Sequence, residues 1–318
     1  MSFTERTPHE RGFARIYEVR VIPALTELTA RHRQLEVRRK RRMRYLAGLA
    51  LVAAAVVTAA GFGAFLQVSG LWAAALITVS WVALLLSIPG LLIVWGRSAT
   101  AGDDAARRCL LPIVAEHLEL TYDREADEPP DPAPFLERGL ITRASFGRFD
   151  DAMTAHVGGV TVTMLRADFA NPGNTSAADW QGLILKAELP TPAPASIRIG
   201  GDEAWRLADG FASLSKLPDA ALGVAADAPE ATATWMPSAI TGCIERMWQR
   251  FDPDDTGRFR AMIDGARLRL SIRDPASSPL PMPDPTATPD EIEAQLHKLI
   301  ADAALPLDIA RAFEGTHS

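Results

Sequence analysis

Two long apolar stretches, close together in the chain, set the strongest limit on what this sequence can become. Residues 45–66 read YLAGLALVAAAVVTAAGFGAFL and residues 71–95 read LWAAALITVSWVALLLSIPGLLIVW, and neither contains a charged side chain. A helix rises about 1.5 Å per residue and a hydrocarbon core is about 30 Å thick, so about 20 apolar residues are enough to span it. Helices buried in a soluble protein normally keep a polar stripe, whereas these segments are apolar all round. The pattern predicts two transmembrane helices. Only Gln67, Val68, Ser69 and Gly70 separate them, which imposes a tight antiparallel hairpin. Ala53, Ala54, Ala55, Gly61 and Gly63 permit the close backbone approach that holds helices together in lipid. Pro89-Gly90 predicts a bend in the second helix, which membranes tolerate.

The flanks orient this hairpin. Arg38, Arg39, Lys40, Arg41, Arg42 and Arg44 precede it, and Arg97, Arg107 and Arg108 follow it, so both sides are expected on the cytoplasmic face. Arginine far exceeds lysine and alanine is abundant, a bias that suits a bacterial source. The expectation is therefore a multi-pass protein of the bacterial inner membrane with cytoplasmic N- and C-termini. A cleavable signal peptide is not expected, because the first apolar core begins only at Tyr45. Residues 1–44 carry 12 Lys and Arg against 5 Asp and Glu, a local net charge of +7 in a chain of net −6, which leaves −13 for the remainder. A basic arm suits anionic lipid, and an acidic remainder argues against nucleic acid as a partner. Cys109 and Cys243 are the only cysteines, which excludes a disulfide framework.

The organisation that follows is a basic helical arm over 1–44, the transmembrane hairpin over 45–96, a juxtamembrane helix with an acidic, Pro-rich linker over 97–134, and a cytosolic domain over 135–318. That domain reads as α+β, an antiparallel sheet with packed helices. In the arm, Phe13, Ile16 and Tyr17 share one helical face and Pro23 predicts a break. The favoured reading packs this helix on the chain's own domain; the alternative lays it on lipid or a partner. After the membrane, Ala106, Leu110, Ile113 and Val114 recur at helical spacing, with a kink or an interruption of the helix expected at Pro112. The run DREADEPPDPAP over 123–134 reads as linker.

In AMTAHVGGVTVTMLRA, Gly158-Gly159 suits a two-residue hairpin turn. Pairing Val157 with Val160 puts Met153, Ala155, Val157, Val160, Val162 and Met164 on one face, with Thr154, His156, Thr161 and Thr163 on the other. Leu183, Leu185, Ala187 and Leu189 alternate as a further strand. A second hairpin, RFRAMIDGARLRLSI, centred on Asp264-Gly265, turns Phe259, Ala261, Ile263, Ala266, Leu268, Leu270 and Ile272 to the core. Its opposite face carries Arg258, Arg260, Arg267 and Arg269. Like charges across strands repel, so something acidic must lie near. The favoured source is the chain's own Asp252, Asp254, Asp255 and Asp274; the alternative makes this face a site for an anion or a partner. Two helices flank the hairpin: one with Pro237 at its start and Ile240, Ile244, Met247, Trp248 and Phe251 as its stripe, the other with Thr288 as N-cap, Pro289 next and Ile292, Leu296, Leu299 and Ile300 buried.

The order of these features (a short helix with FxxxY and a proline, an apolar hairpin, a cytosolic helix, a sheet hairpin, then WMPSAITGCIERMWQRF and RFRAMIDGARLRLSI) resembles the bacterial membrane proteins grouped as domain of unknown function 3137. The resemblance covers most of the chain and is poorest over residues 196–233. It implies a two-helix membrane protein with a cytosolic domain and implies no activity.

Motifs for chemistry are sparse. The chain holds no Walker-type loop, no GxGxxG after a strand, no G-x-S-x-G and no C-x-x-C. His9, His32, His117, His156, His297 and His317 are scattered without metal-ligand spacing, so neither metal nor cofactor is expected. Asp150, Asp151 and His156 form the least poor acid–base set, although the hairpin register makes His156 a solvated residue opposite Thr161. Both cysteines occupy apolar helical positions and read as unreactive. The leading expectation is an uncharacterised membrane-anchored interaction or scaffold module that binds a protein partner, a second copy of itself or an anionic ligand. The alternatives are a membrane-surface enzyme of unknown reaction and a small oligomeric transport component, the latter disfavoured because two uncharged helices offer no polar path.

Overall fold

The computed structural model of the chain describes residues 3–65, 103–125, 133–141, 146–170, 180–200, 212–214, 223–236, 238–254, 256–273 and 280–314. Two compact units divide the molecule: Met1–Ile16 with Leu110–Pro283 and Pro289–Ser318, and Tyr17–Cys109 with Asp284–Thr288.

The first unit has the α+β architecture the alternating patterns predict. Its nine strands are β1 (Thr121–Asp123), β2 (Phe146–Val157), β3 (Val160–Ala170), β4 (Trp180–Glu188), β5 (Ile197–Ile199), β6 (Ala212–Leu214), β7 (Val224–Ala226), β8 (Phe259–Asp264) and β9 (Arg267–Arg273). They form one sheet in the order β1-β2-β3-β4-β9-β8-β5-β7-β6, antiparallel throughout. The β2–β3 turn has positive φ at Gly158 and Gly159, and Val157 pairs with Val160 as the sequence predicts. Met153, Ala155, Val160, Val162 and Met164 are buried, while His156 is exposed and meets the Thr161 hydroxyl at 3.0 Å.

The β8–β9 turn departs from expectation by one residue. Asp264 pairs with Arg267, so the turn is Gly265-Ala266, and Ala266 is exposed instead of facing the core. Gly265 takes the positive φ of 57°. Moving a two-residue turn by one position shifts the pairing by two, so side-chain faces survive: Phe259, Ala261, Ile263, Leu268, Leu270 and Ile272 remain buried together.

Helices close that apolar face. α6 (Ser238–Phe251) buries Ile240, Cys243, Ile244, Met247 and Trp248, and α7 (Pro289–Ala303) buries Ile292, Leu296, Leu299 and Ile300. Pro237 lies outside the described residues. A further helix, α8 (Leu305–Glu314), was not read from the sequence; it packs on β2 and β3 and against α6 and α7. The other face is covered at one end by α4 (Ala133–Glu137) and the turn after it. There Phe135, Leu140 and Ile141 pack on Leu165, Ala167, Phe169, Trp180, Ile184 and Met262. Ile184 and Met262 are buried against this second layer, which strict alternation had assigned to the polar side. Arg260 donates to the Gly139 carbonyl at 2.7 Å and Ser271 to the Leu140 carbonyl at 2.8 Å, which fixes the end of α4 on the sheet. The supposed linker over 123–134 thus begins in β1 and ends in α4, its middle lying outside the described residues. A short α5 (Pro229–Trp235) completes the unit's helices among the described residues.

The first sixteen residues pack within the same unit through complementary charges. The Glu10 carboxylate is buried; it accepts the Arg6 and Thr7 N–H groups and meets Nδ1 of His297 at 2.9 Å. Burial works to raise the Glu10 carboxyl, but the Arg6 N–H, His297 and the Thr7 N–H outweigh it and hold it below the usual range. Glu293 is lowered chiefly by the Thr4 N–H bond, with His297 adding. His9 Nε2 lies 2.9 Å from Asp308, and His117 Nε2 donates to the His9 carbonyl at 2.8 Å. Phe3 and Phe13 pack edge on at 5.0 Å, with His297 and His117 against their rings.

In the second unit, the wide turn Tyr17–Val21 precedes α2 (Ile22–Phe65), and the chain enters it from α1 (Phe13–Ile16). The expected break at Pro23 does not occur. Proline lacks an N–H and its ring crowds the carbonyl four residues back, and widening the preceding turn relieves both without ending the helix. Residues 103–117 form α3, which is not interrupted at Pro112. Among the described residues no helix is long and apolar enough to cross a membrane. The first apolar segment continues α2 as far as Phe65; several of its side chains, and all of Leu71–Trp95, lie outside the described residues. The transmembrane hairpin is therefore not found there and stays an expectation of sequence.

Candidate functional site

The end of the sheet face next to the α4 cover gathers charge in two cross-strand rows. One row runs Thr154, Thr163, Lys186, Arg269, Met262 and Arg198 from β2 to β5. The next runs His156, Thr161, Glu188, Arg267 and Asp264. Register sets this: residues directly opposite in an antiparallel pair stand about 5 Å apart on the same side. Arg138, just after α4, joins the group by a 2.8 Å bond from Nη2 to Asp264 Oδ2, and the Ser196 hydroxyl donates to Asp264 Oδ1 at 3.1 Å. Among the described residues three carboxylates, Glu188, Asp264 and Asp227, the last accepting the Ser196 N–H at 3.0 Å, thus stand among five cations, Arg138, Lys186, Arg198, Arg267 and Arg269.

Electrostatics reveals the imbalance. Burial, and then the nearby Arg138, pull the Arg198 guanidinium below its usual range. Burial, Arg267 and Arg138 lower Arg269, with Asp264 opposing. Both arginines are half-buried on the pleated surface. Among the described residues neither Arg267 nor Arg269 has a carboxylate within ion-pair distance. Guanidinium groups present planar forks of N–H donors, so this arrangement suits an oxyanion.

The four arginines singled out from the sequence part company. Arg258 is exposed just before β8, its N–H bonded to Asp252 and its carbonyl to the Arg273 N–H. Arg260 is committed to Gly139. Arg267 and Arg269 alone belong to the cationic cluster. The expected neutralisation by Asp252 does not occur: that carboxylate is buried and caps the turn into β8 by accepting from the N–H groups of Thr256, Arg258 and Phe259 and from the Thr256 hydroxyl. Asp254 is exposed, and Asp255 and Asp274 lie outside the described residues. Sequence reading missed Arg138, Lys186 and Arg198, since each reaches the hairpin only through tertiary pairing. Lys186 alone carried a signal, as the outward residue of a strand already recognised.

The acid–base set comes apart. Asp151 sits in a β-bulge at φ 57°, buried, and accepts the Tyr122 hydroxyl at 2.8 Å. Asp150 pairs with Arg148 at 2.8 Å and stands opposite Arg166. His156 lies five or six residues farther along the strand, on the order of 17 Å away. No proton relay joins them. Among the described residues no group of three or more His, Cys, Asp or Glu could hold a metal ion. Burial, with Asp308 adding and Arg246 opposing, pushes the Cys243 thiol up to about 11.

No family model and no curated protein matches the chain. The resemblance drawn from WMPSAI and the second hairpin rests on those motifs. Among solved structures, the chain is similar to the crystal structure of the mycobacterial trehalose monomycolate transport factor A, with 9% identity, a TM-score of 0.32, and coverage of 65% of this chain and 94% of that one. A likeness this distant carries no argument about fold or function.

Proposed function

We propose that this chain is a membrane-anchored, non-catalytic interaction module whose α+β domain presents a cationic sheet face to an anionic partner at the cytoplasmic surface of a bacterial inner membrane. The observation that carries the reading is the Arg138, Lys186, Arg198, Arg267 and Arg269 group, where five cations, two of them half-buried, collect beside three carboxylates, Glu188, Asp264 and Asp227, among the described residues. Such a collection opposes folding slightly and becomes favourable when an anion arrives.

Support for the anchor comes from the uncharged segments 45–66 and 71–95. Tyr45, Leu51 and Val52 are exposed on α2, and lipid would cover them. The Arg41 guanidinium lies 6.0 Å from the Tyr45 ring centre, a cation–aromatic pair of the kind that marks the boundary between headgroups and water. The order of features shared with domain of unknown function 3137 points the same way.

The test combines reporter fusions after Leu66 and at Ser318 with crosslinking of the intact protein in native membranes. A cytoplasmic C-terminus and a crosslinked partner that is lost in Arg198→Gln/Arg269→Gln supports the reading. An extracytoplasmic C-terminus, or a partner held equally by the double variant, overturns it.

A further inference from the structure

We infer that residues 3–16 are a pH-operated latch, fastened to α7 by a protonated His297 set between two carboxylates and released when that imidazole gives up its proton. The latch uses none of the arginine-face residues, and its working does not depend on what that face binds.

Among the described residues, His297 alone has a carboxylate at each ring nitrogen. Glu10 Oε1 meets Nδ1 at 2.9 Å, and Glu293 Oε1, one turn earlier on α7, stands 3.5 Å from Nε2. Nε2 is buried and has no hydrogen-bond partner among the described residues. The Phe3 ring packs on the imidazole at 4.6 Å and is itself buried, so the group is screened from solvent. A neutral imidazole has one N–H and one lone pair, so it can donate to Glu10 only by turning the lone pair towards Glu293. An imidazolium donates to both sides. Burial works to raise the Glu10 carboxyl, but the Arg6 N–H, His297 and the Thr7 N–H outweigh it, and the Thr4 N–H, with His297 adding, lowers Glu293. Both acids are therefore ionised where imidazole titrates.

The other charged groups of the contact do not share this dependence. His117 Nε2 donates to the His9 carbonyl at 2.8 Å, a bond that a neutral ring keeps. His9 Nε2 lies 2.9 Å from Asp308 Oδ1, and a neutral His9 with its proton on Nε2 keeps that bond as well. Arg6 stands 4.0 Å from Glu293 on an exposed side chain, and guanidinium groups stay charged throughout this range. Only His297 loses a contact by becoming neutral. Its charge is present on the acid side of imidazole titration and lost as pH rises through it, a change that falls between about pH 5 and 8. On the far acid side Glu10 takes up its proton below the ordinary carboxyl value of 4.5, so fastening is confined to the interval between the two. The segment leads on into Tyr17 and α2, whereas the chain enters the sheet from α3. The latch is thus a second, non-covalent fastening, and its release leaves the covalent one alone.

The experiment follows amide hydrogen exchange of the full chain in neutral detergent micelles at about pH 6 and about pH 8.5, with rates expressed as protection relative to unstructured peptide at the same pH. The Thr4, Arg6 and Thr7 N–H groups bond to the Glu293 and Glu10 carboxylates, so peptides over residues 3–12 report the latch directly. Their protection should fall about tenfold or more at the higher pH, the scale of one charge-assisted hydrogen bond, while that of β3 and β4 stays unchanged. Glu293→Gln is the deciding variant. Its amide oxygen still accepts the Thr4 N–H and its amide nitrogen can donate to a neutral Nε2, so protection at the higher pH should stay within about threefold of that at the lower. His297→Gln should leave the segment weakly protected at both. Equal protection of the segment in the parent chain at the two pH values overturns the latch. A fall in Glu293→Gln as large as in the parent, a pH dependence that survives in His297→Gln, or an equal fall across β3 and β4 does the same.

Discussion

One face of the sheet has two ends, and they solve opposite problems. Under α4 the rows are Leu165, Ala167, Phe169, Trp180, Ile184 and Met262, sealed by Phe135, Leu140 and Ile141. One row farther along, on either side of Met262, the same strands carry Thr163, Lys186, Arg269 and Arg198, all exposed or half-buried. Arg260 and Arg269 show the contrast best, because both leave the same hairpin on the same side. The first donates to a backbone carbonyl and holds the cover in place. The second is pushed by Arg267 and Arg138, attracted by Asp264, and within ion-pair distance of none of the described carboxylates. Whether an outward arginine is structural or available thus depends on what a distant segment lays over it, and not on the strand that carries it.

The sharpest way to break the covered end is Gly182→Ala on β4. An added Cβ would stand 2.0 Å from the Ile272 carbonyl oxygen and 2.8 Å from the Trp180 ring, so backbone must move. We expect a loss of about 3 kcal/mol in chemical denaturation, the upper range for overpacking. Next in size is Glu10→Ala, which leaves His297 and two N–H groups without their acceptor and should cost about 2 kcal/mol. Its pH signature separates charge from packing. The folded carboxyl lies below its ordinary value of 4.5, so the stabilisation is present above that pH and is lost as pH falls through the lowered value. Glu10→Gln should flatten the decline in thermal midpoint on acidification below about pH 4.5, where the parent chain falls steeply. Arg260→Ala should cost about 1 kcal/mol by freeing the end of α4. Arg269→Gln completes the contrast: with no anion present it should change stability by less than about 0.5 kcal/mol, or raise it, since it relieves repulsion. A clear destabilisation by Arg269→Gln would make this arginine structural and erase the distinction between the two ends.

How far the sequence led can be judged residue by residue. The Gly158-Gly159 turn, its Val157–Val160 pairing and the stripes of α6 and α7 follow from local period and turn chemistry, and all appear. Even the misplaced β8–β9 turn kept its faces, because side-chain alternation tolerates a shift of two. The second layer was hidden: Ala133–Glu137 lies at the end of a proline-rich acidic run that masks a single helical turn. Arg198 sits in a three-residue strand too short to show alternation, and Arg138 follows α4, so neither could be placed beside Arg269 without the sheet order. Asp252 misled in the opposite direction: close to the arginines in sequence, it spends its oxygens on backbone N–H groups.

The outermost strand β1 is three residues long and pairs with only Ala152, Met153 and Thr154 of the twelve-residue β2. Long unpaired strand margins are templates on which identical chains can stack without limit, a hazard that grows when molecules are crowded into two dimensions. A margin as brief as β1 offers at most two or three main-chain bonds to a newcomer, too few to nucleate a growing ribbon, and the same limit holds for a ligand that would bind there by adding a strand.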